Sequence, residues 1–442
     1  MPRKPTEQWS DPDEATTPRR TLSSRSRPPK PAEPPQPWTF PARFRARAFS
    51  WKGTALASQR LKEAISEIKA VHRTDPIRAA EGAVRLIERL VPAIQDIDSS
   101  SGSLGTATNR AIDILVGIIA AAPADAGTRA AWLDRLWEAY NDDGYGYLDQ
   151  IPVRWGELCA SPDLASTWAD DLAPTLRRAF ADRSRMHGGS AALSCLQAAG
   201  RHAEIIDIVE LLRYEFWDYQ RFAFQALIDL GRPEEALRYA ESRTNPNDAN
   251  QVSAACERIL RDIGRTDEAY RKYGLHVHRA STHLATFRSL AKTYPEIAPS
   301  KLLRDLVASV PGEEGKWFAT AKELALYDDA IDLANRSPCD PKTLIRAARD
   351  FDASEPLFAL KAGLTALRWL CAGHGYDLVG NEAYQAFDYV IRAADRAGDR
   401  EGAMTAMATL IHPDLGATNW AGDALRRLLA GASRDTASVP KQ

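Results

Sequence analysis

The sequence predicts an all-α protein: an α-solenoid of antiparallel, tetratricopeptide-like helix hairpins preceded by a disordered N-terminal tail. From Trp51 onward, apolar residues recur at helical spacing, and no stretch alternates with period two for long enough to form a sheet. A turn motif returns at Gly200, Gly231 and Gly264, which are 31 and 33 residues apart. A fixed period in this range indicates a helical repeat array.

Composition places the chain among ordinary folded proteins. Hydrophobic residues make up 44 % of the 442 residues, charged residues 26 %, and the net charge is −2. This length exceeds the size of one compact core, so several domains or a repeat array is expected. The near balance of charge argues against attraction of the whole molecule to nucleic acid or membrane, and leaves room for a local basic patch.

Cysteine usage and hydropathy favour a cytoplasmic protein. The five cysteines are far apart and form no CxxC pair, so we interpret them as reduced, mostly buried thiols. The most apolar run, Ile114 to Ala122, is too short to cross a bilayer and is interpreted as part of a core helix. The basic N-terminus is followed by no apolar segment, so no secretory signal is expected.

Residues 1–49 are predicted to form the disordered tail. The first 41 residues hold 11 of the 27 prolines and show no periodic apolar pattern. Such a segment cannot bury enough surface to offset the entropy lost on ordering.

The tail ends in an arginine-rich arm, "FPARFRARAFSW". Arg43, Arg45 and Arg47 alternate there with Phe and Ala, and one interpretation is a basic arm that contacts nucleic acid or an acidic partner. The other is a leader whose Phe44 and Phe49 dock on the first helix.

Residues 50–185 are predicted to form an N-terminal helical region. In "TDPIRAAEGAVRLIERLVPAI" the apolar residues form one buried stripe. Asp75 suits the N-cap and Pro76 the first helical position, while Pro92 is expected to kink or end the helix near Val91.

Residues 186–430 are predicted to form the repeat region, followed by a flexible tail at 431–442. The copies share a small residue followed five positions later by alanine: Gly231 with Ala236, Gly264 with Ala269, Ala325 with Ala330, Gly398 with Ala403 and, more loosely, Gly200 with Ile205. The small residue is expected to end one helix in a left-handed conformation, polar residues to cap the next, and alanine to allow close helix approach. Stacked hairpins of this kind form a groove.

These copies resemble the turn and second-helix half of tetratricopeptide repeats. The resemblance implies stacked hairpins with a groove. Phe224 and Ile391 stand where that family has a small residue in the first helix, so the groove is expected to be filled differently. The resemblance therefore implies no particular class of peptide ligand.

A second resemblance covers roughly residues 50 to 430. The order "FSWKG", "DPIRAAEGAVRLIERL", "NDDGYGYLDQI" and "LVGNEAYQAFDYVIRAAD" is similar to a bacterial family of helical-repeat proteins that carries no assigned function. Similar helical regions accompany SWIM-type zinc fingers, but the Cys-x-Cys and Cys-x-His ligands of such a finger are missing here. The resemblance implies a fold, and neither an activity nor a zinc module.

The stretch "NDDGYGYLDQI" at residues 141–151 has the look of a calcium loop. With Gly144 at the sixth position, the first falls on Ala139 and the twelfth on Gln150, neither of which supplies the required carboxylate. We predict a turn between helices, in which Tyr145 and Tyr147 are candidates for a recognition loop.

Two further clusters are candidate sites. His276, His278 and His283 would bind a metal only if the first two lay in a loop, so helix-end histidines are favoured and a metal site is left open. The aromatic run "RYEFWDYQRFAF" is interpreted as an inter-helix corner buried on several sides, with a base-stacking platform as the alternative.

No nucleophile, phosphate-binding or metalloprotease motif is present, and no constellation suggests catalysis. The sequence therefore predicts a non-enzymatic scaffold or adaptor that binds a protein partner and uses no cofactor. The alternative is a nucleic-acid-associated adaptor that uses the basic arm. A third possibility, an enzyme assembled from distant helices, requires an enclosed polar pocket with converging titratable groups.

Overall fold

A computed structural model describes residues 37–98, 100, 102–212, 216–242, 245–375, 380–411 and 420–437, with side chains in the last helix to residue 432. Every regular element in these ranges is helical, and the described residues contain no strand. The all-α prediction is confirmed. The predicted tail at residues 1–36 and the last five residues, 438–442, lie outside the described residues.

The chain divides into two compact units, residues 1–148 and 149–442. The described part of the first unit begins with a 3-10 turn, Phe40–Ala42, and continues with four long helices. These are α1 (Thr54–His72), α2 (Pro76–Ile94), α3 (Ser103–Ala121) and α4 (Ala126–Asn141). Helix α2 contacts the other three, and its apolar stripe forms the core of the unit.

Helix α2 begins as the sequence predicts. The side chain of Asp75 accepts a hydrogen bond from the backbone N–H of Arg78 at 3.0 Å, and Pro76 occupies the first turn. The predicted end near Val91 is wrong, because the helix continues through Pro92 to Ile94.

Residues 37–49 are packed on the first unit rather than disordered. The backbone N–H of Arg47 donates to the carbonyl of Pro92 at 2.7 Å, which satisfies an acceptor in the last turn of α2. Phe40, Phe44 and Phe49 are at most 4 % exposed. The prediction of disorder through residue 49 is therefore wrong from residue 37 onward, because three phenylalanines supply the buried surface that the proline-rich composition conceals. Their burial agrees with the docked-leader interpretation.

Helix α3 contains the apolar run. It has 19 residues, and by length and composition it is the one helix among those described that could cross a membrane. The run Ile114 to Ala122 is shorter than the helix, so the argument from its length is incomplete. Helix α3 packs against α1 and α2, and Ile112 and Leu115 are fully buried, as in the core helix of a soluble protein.

The second unit is a series of shorter helices joined by tight turns. In chain order they are α5 (Gln150–Val153), α6 (Trp155–Cys159), α7 (Pro162–Ala181), α8 (Gly189–Ala198), α9 (His202–Val209), α10 (Trp217–Asp229), α11 (Pro233–Glu241), α12 (Ala249–Asp262), α13 (Thr266–Ala269), α14 (Leu275–Val277), α15 (His283–Thr293), α16 (Pro299–Ala308), α17 (Phe318–Glu323), α18 (Tyr327–Arg336), α19 (Pro341–Asp350), α20 (Pro356–Cys371), α21 (Glu382–Ala397), α22 (Arg400–Thr409) and α23 (Trp420–Ala437). A π-helical turn, Tyr270–Gly274, joins α13 to α14, and a 3-10 turn, Glu314–Trp317, precedes α17. Most contacts join helices that are close in sequence, which is the packing of a solenoid.

Polar contacts between neighbouring hairpins show the repeat length directly. Several join residues 31 or 33 positions apart: Arg201 with Asp170, Arg265 with Glu234, Lys272 with Glu241, Lys361 with Asp328 and Arg368 with Asn335. We call this set of contacts the inter-repeat ladder. Its spacing equals the motif period, so each side chain meets the equivalent region of the preceding hairpin.

The turns take the predicted left-handed conformation. The φ angles of Gly200, Gly231, Gly264 and Gly398 lie between +71° and +81°, and Ala325 adopts +56° without being glycine. The alanines five positions later are at most 1 % exposed: Ala236, Ala269, Ala330 and Ala403.

The predicted polar caps are found at only one of the glycine turns with a described cap. Asp399 accepts a hydrogen bond from the backbone N–H of Gly402 at 3.2 Å. At the other three turns the N-cap is an arginine without a side-chain cap bond, and each arginine pairs with a glutamate three positions later: Arg201 with Glu204, Arg232 with Glu235 and Arg265 with Glu268. An arginine side chain has no acceptor, so it cannot satisfy helix N–H groups.

The repeat architecture begins earlier than residue 186. Helices α6 and α7 pack on α8, and the backbone N–H of Gly156 donates to Ser194 Oγ at 3.0 Å. The compact unit accordingly starts at Asp149. The sequence boundary was placed too late because these first hairpins lack the glycine and alanine signature.

Candidate functional site

The arginine arm lies on the surface of the first unit. Arg43 forms an ion pair with Glu63 at 2.7 Å, and Arg47 approaches Asp96 at 3.6 Å. Arg45 is exposed, and the side chain of Arg47 is 72 % exposed. Trp51, four residues later, is 64 % exposed. The arm therefore combines mobile-length cationic side chains with an accessible indole.

The stretch after α4 is a turn, as predicted. Asp143 accepts hydrogen bonds from the backbone N–H groups of Tyr145 at 3.0 Å and Leu148 at 2.6 Å, so its carboxylate closes the turn. The rings of Tyr145 and Tyr147 lie 6.1 Å apart, and Tyr145 is 63 % exposed. A recognition role for this pair stays a prediction.

The three histidines have separate surroundings. His276 is exposed, and His283 lies edge-on to Trp317 with ring centroids 4.6 Å apart. Burial lowers the pKa of His283. His278 faces Glu257. Within the described ranges, no group of three or more His, Cys, Asp or Glu side chains is arranged to hold a metal ion.

A buried polar network surrounds His278, and sequence analysis missed it. Its Nε2 donates to Glu257 Oε1 at 2.8 Å, and the hydroxyl of Tyr294 donates to the same oxygen at 2.5 Å. Glu257 is 4 % exposed and Tyr294 is fully buried. The available signal was Glu257 itself, a carboxylate directly beside Cys256 on the apolar stripe of α12.

The network also reaches Ser289, whose Oγ lies 3.1 Å from His278 Nδ1. Serine, histidine and glutamate thus follow the order of a nucleophile, a base and an acid. However, Ser289 lies within α15 and lines none of the cavities described below. We interpret the network as a polar fastening between α12, the end of α14 and α15.

The surface feature best shaped for a macromolecular ligand is a groove between α16 and α18. This α16–α18 groove has a volume of about 370 Å³. Leu303, Val307 and Leu333 line it together with Pro311 and Ala308. Arg304, Arg336, Asp329, Asp332 and Glu314 supply the charged lining. An apolar surface bordered by charges of both signs suits an amphipathic peptide segment.

Two other cavities are dominated by paired charges. The larger, about 650 Å³, lies at the turn between α12 and α13, where Arg265 is paired with Glu234 and Glu268. The smaller, about 360 Å³, lies between α19 and α21, where Lys342 lies 3.8 Å from Glu382. Because these charges already have partners, neither cavity distinguishes a ligand by its charge.

The aromatic run belongs mainly to the core. Trp217, Tyr219, Phe222 and Phe224 are at most 8 % exposed, which confirms burial on several sides. The inter-helix corner is wrong for these residues, because they form the first two turns of α10. Residues 213–215, including Tyr214, lie outside the described residues.

Neither a protein-family model nor a curated protein matches the sequence. The two resemblances given above therefore stay predictions.

Proposed function

We propose that the protein is a non-enzymatic scaffold whose α16–α18 groove binds an apolar segment of a partner protein. The observation that carries the proposal is the groove itself. Its walls come from successive hairpins, so a bound segment would contact two repeats at once. Buried apolar contacts would supply affinity, while the charged lining would favour one register over another.

Ala308 offers a direct test, because it is exposed and lines the groove. In Ala308→Arg a long cationic side chain would occupy the space of the partner segment. We expect affinity for the partner to fall at least about tenfold, the usual effect of losing a well-packed contact. The measurement is recovery of partners from the native host by affinity purification and mass spectrometry, with nuclease treatment in parallel, followed by titration of the purified partner.

Ala408→Arg is the matched control, since Ala408 is exposed on α22 and lines none of the cavities described here. Recovery of a nuclease-resistant partner by the wild type and by Ala408→Arg, with loss in Ala308→Arg, would support the proposal. Equal recovery by all three proteins would contradict it.

A second candidate function is association with single-stranded nucleic acid through the arginine arm. It is supported by the exposure of Trp51 beside Arg45 and Arg47, because an indole can stack on a base while guanidinium groups contact phosphates. We expect Arg45→Ala/Arg47→Ala/Trp51→Ala to weaken binding at least about fivefold in a gel-shift assay with a single-stranded oligonucleotide.

The assay should be run at low and moderate salt, because phosphate contacts weaken as salt rises. Arg110→Ala is a control that removes an exposed arginine elsewhere in the first unit. No shift with the wild type at either salt concentration would end this candidate.

We further propose a cytoplasmic location. The support is that all five cysteines are unpaired and buried, as expected for thiols in a reducing compartment.

A further inference from the structure

A small apolar pocket lies between the end of α7 and the start of α10. This α7–α10 pocket has a volume of about 260 Å³. Phe180, Leu212, Phe216 and Tyr219 form its walls. The rings of Phe180 and Tyr219 meet edge to face with centroids 5.1 Å apart, which fixes two walls at right angles to the opening formed by the other two. Its accessible interior is therefore almost entirely aromatic and aliphatic.

Two arginines line the same pocket, and the backbone holds them there. Helix α7 ends at Ala181, and Arg183 takes a left-handed conformation with φ of +59°. The backbone N–H of Ser184 returns to the carbonyl of Ala179 at 2.8 Å, which closes the helix end. Arg183 and Arg185 follow this fixed turn and are both exposed.

The guanidinium of Arg185 is directed at the aromatic wall. Its Cζ lies 5.1 Å from the ring centroid of Phe216, within the range of a cation–π contact. It also hydrogen-bonds the hydroxyl of Tyr219, and this contact lowers the pKa of that tyrosine against the stronger, opposing effect of burial. In the part of the chain that the structure describes, neither Arg183 nor Arg185 forms an ion pair with a carboxylate.

We propose that the α7–α10 pocket binds a small apolar carboxylate. The aromatic walls would take the hydrocarbon body, and Arg185, with Arg183, would hold the carboxylate, because a guanidinium donates two parallel hydrogen bonds to that group. The volume falls just below the usual range for drug-sized ligands and suits a body of about ten heavy atoms. This inference is independent of the α16–α18 groove.

The test uses the full chain and 4-phenylbutyrate as the probe, with 4-phenylbutanol as the uncharged analogue. Titration calorimetry is expected to give one site with a dissociation constant between about 10 μM and 1 mM, in line with the affinity attainable by so few atoms. The alcohol should bind at least about fivefold more weakly, because it cannot accept the paired donors of an arginine.

Arg185→Met keeps the aliphatic contact with Phe216 and removes the charge, and should weaken 4-phenylbutyrate binding at least about fivefold. Phe216→Ala should weaken both probes, since it removes a wall. Arg177→Met is the matched control on α7, where Arg177 is exposed and does not line the pocket. No saturable binding by the wild type, or equal binding by wild type and Arg185→Met, would overturn the proposal; circular dichroism of each variant establishes that the helices are retained.

Discussion

Gly156→Ala is expected to destabilise the second unit by at least about 3 kcal/mol, the upper range for forcing extra volume into a packed core. A Cβ at residue 156 would lie 2.1 Å from the backbone oxygen of Ser194 and 2.7 Å from the Cβ of Ala198. The first neighbour is main chain, so no side-chain rotation can relieve the contact. Helices α6 and α8 would have to separate, and the hydrogen bond from the N–H of Gly156 to Ser194 Oγ would be lost.

Gly431→Ala is the control for this substitution in the same unit. Gly431 lies inside α23, and a Cβ there would meet nothing within 4 Å. Because alanine has the higher helix propensity, this variant should be more stable by about 0.5–1 kcal/mol. Urea unfolding followed by circular dichroism measures both changes. An unaltered unfolding midpoint for Gly156→Ala would show that α6 and α8 are not packed as closely as described.

Glu257→Ala is expected to cost about 3–5 kcal/mol, the usual effect of removing one partner from a buried charged pair. The substitution leaves His278 Nε2 and the hydroxyl of Tyr294 without their common acceptor in a region that water does not reach. Glu257→Gln keeps an acceptor of the same size and should cost only about 1–2 kcal/mol. Asp262→Ala, at an exposed position of the same helix, should change stability by less than about 0.5 kcal/mol.

The contribution of Glu257 should also depend on pH. Burial opposes its ionisation, but hydrogen bonds from His278 and Tyr294 outweigh this effect and place its pKa below the ordinary value of 4.5. A depressed carboxyl pKa stabilises the folded state fully above the unfolded value, and this stabilisation is lost as pH falls through the folded value. The stability difference between wild type and Glu257→Gln should therefore shrink below about pH 4.5. A difference that stays constant down to pH 3 would show that the charge of Glu257 contributes nothing.

The helical stack could be predicted because its determinants are local. A left-handed turn requires glycine or a strained substitute, and close helix packing requires alanine, so the pairs from Gly231 and Ala236 onward are legible in the sequence. Ala325 was also identified, since its copy preserves the alanine five positions later. The first hairpins were missed because their closest contact, Gly156 against Ser194, leaves no periodic signature.

The candidate sites could be predicted less well, because they depend on contacts between distant segments. Glu257 and His278 are 21 residues apart, and only the packing of α12 against the end of α14 brings them together. The α16–α18 groove and the α7–α10 pocket likewise combine residues from separate helices. Their members are ordinary leucines, phenylalanines and arginines, so no single position distinguishes them in the sequence.

The inter-repeat ladder has a consequence for how such a chain tolerates changes of length. Arg265 bonds Glu268 within its own hairpin and Glu234 in the preceding one, and both contacts depend on the number of residues between them. Inserting one residue before the turn at Gly264 would rotate the following helix by about 100° and separate these partners. Inserting a complete hairpin of about 31–33 residues would instead offer every side chain an equivalent neighbour. Length is thus quantised in this stack, with the hairpin as the smallest unit that can be gained or lost without disturbing the rest.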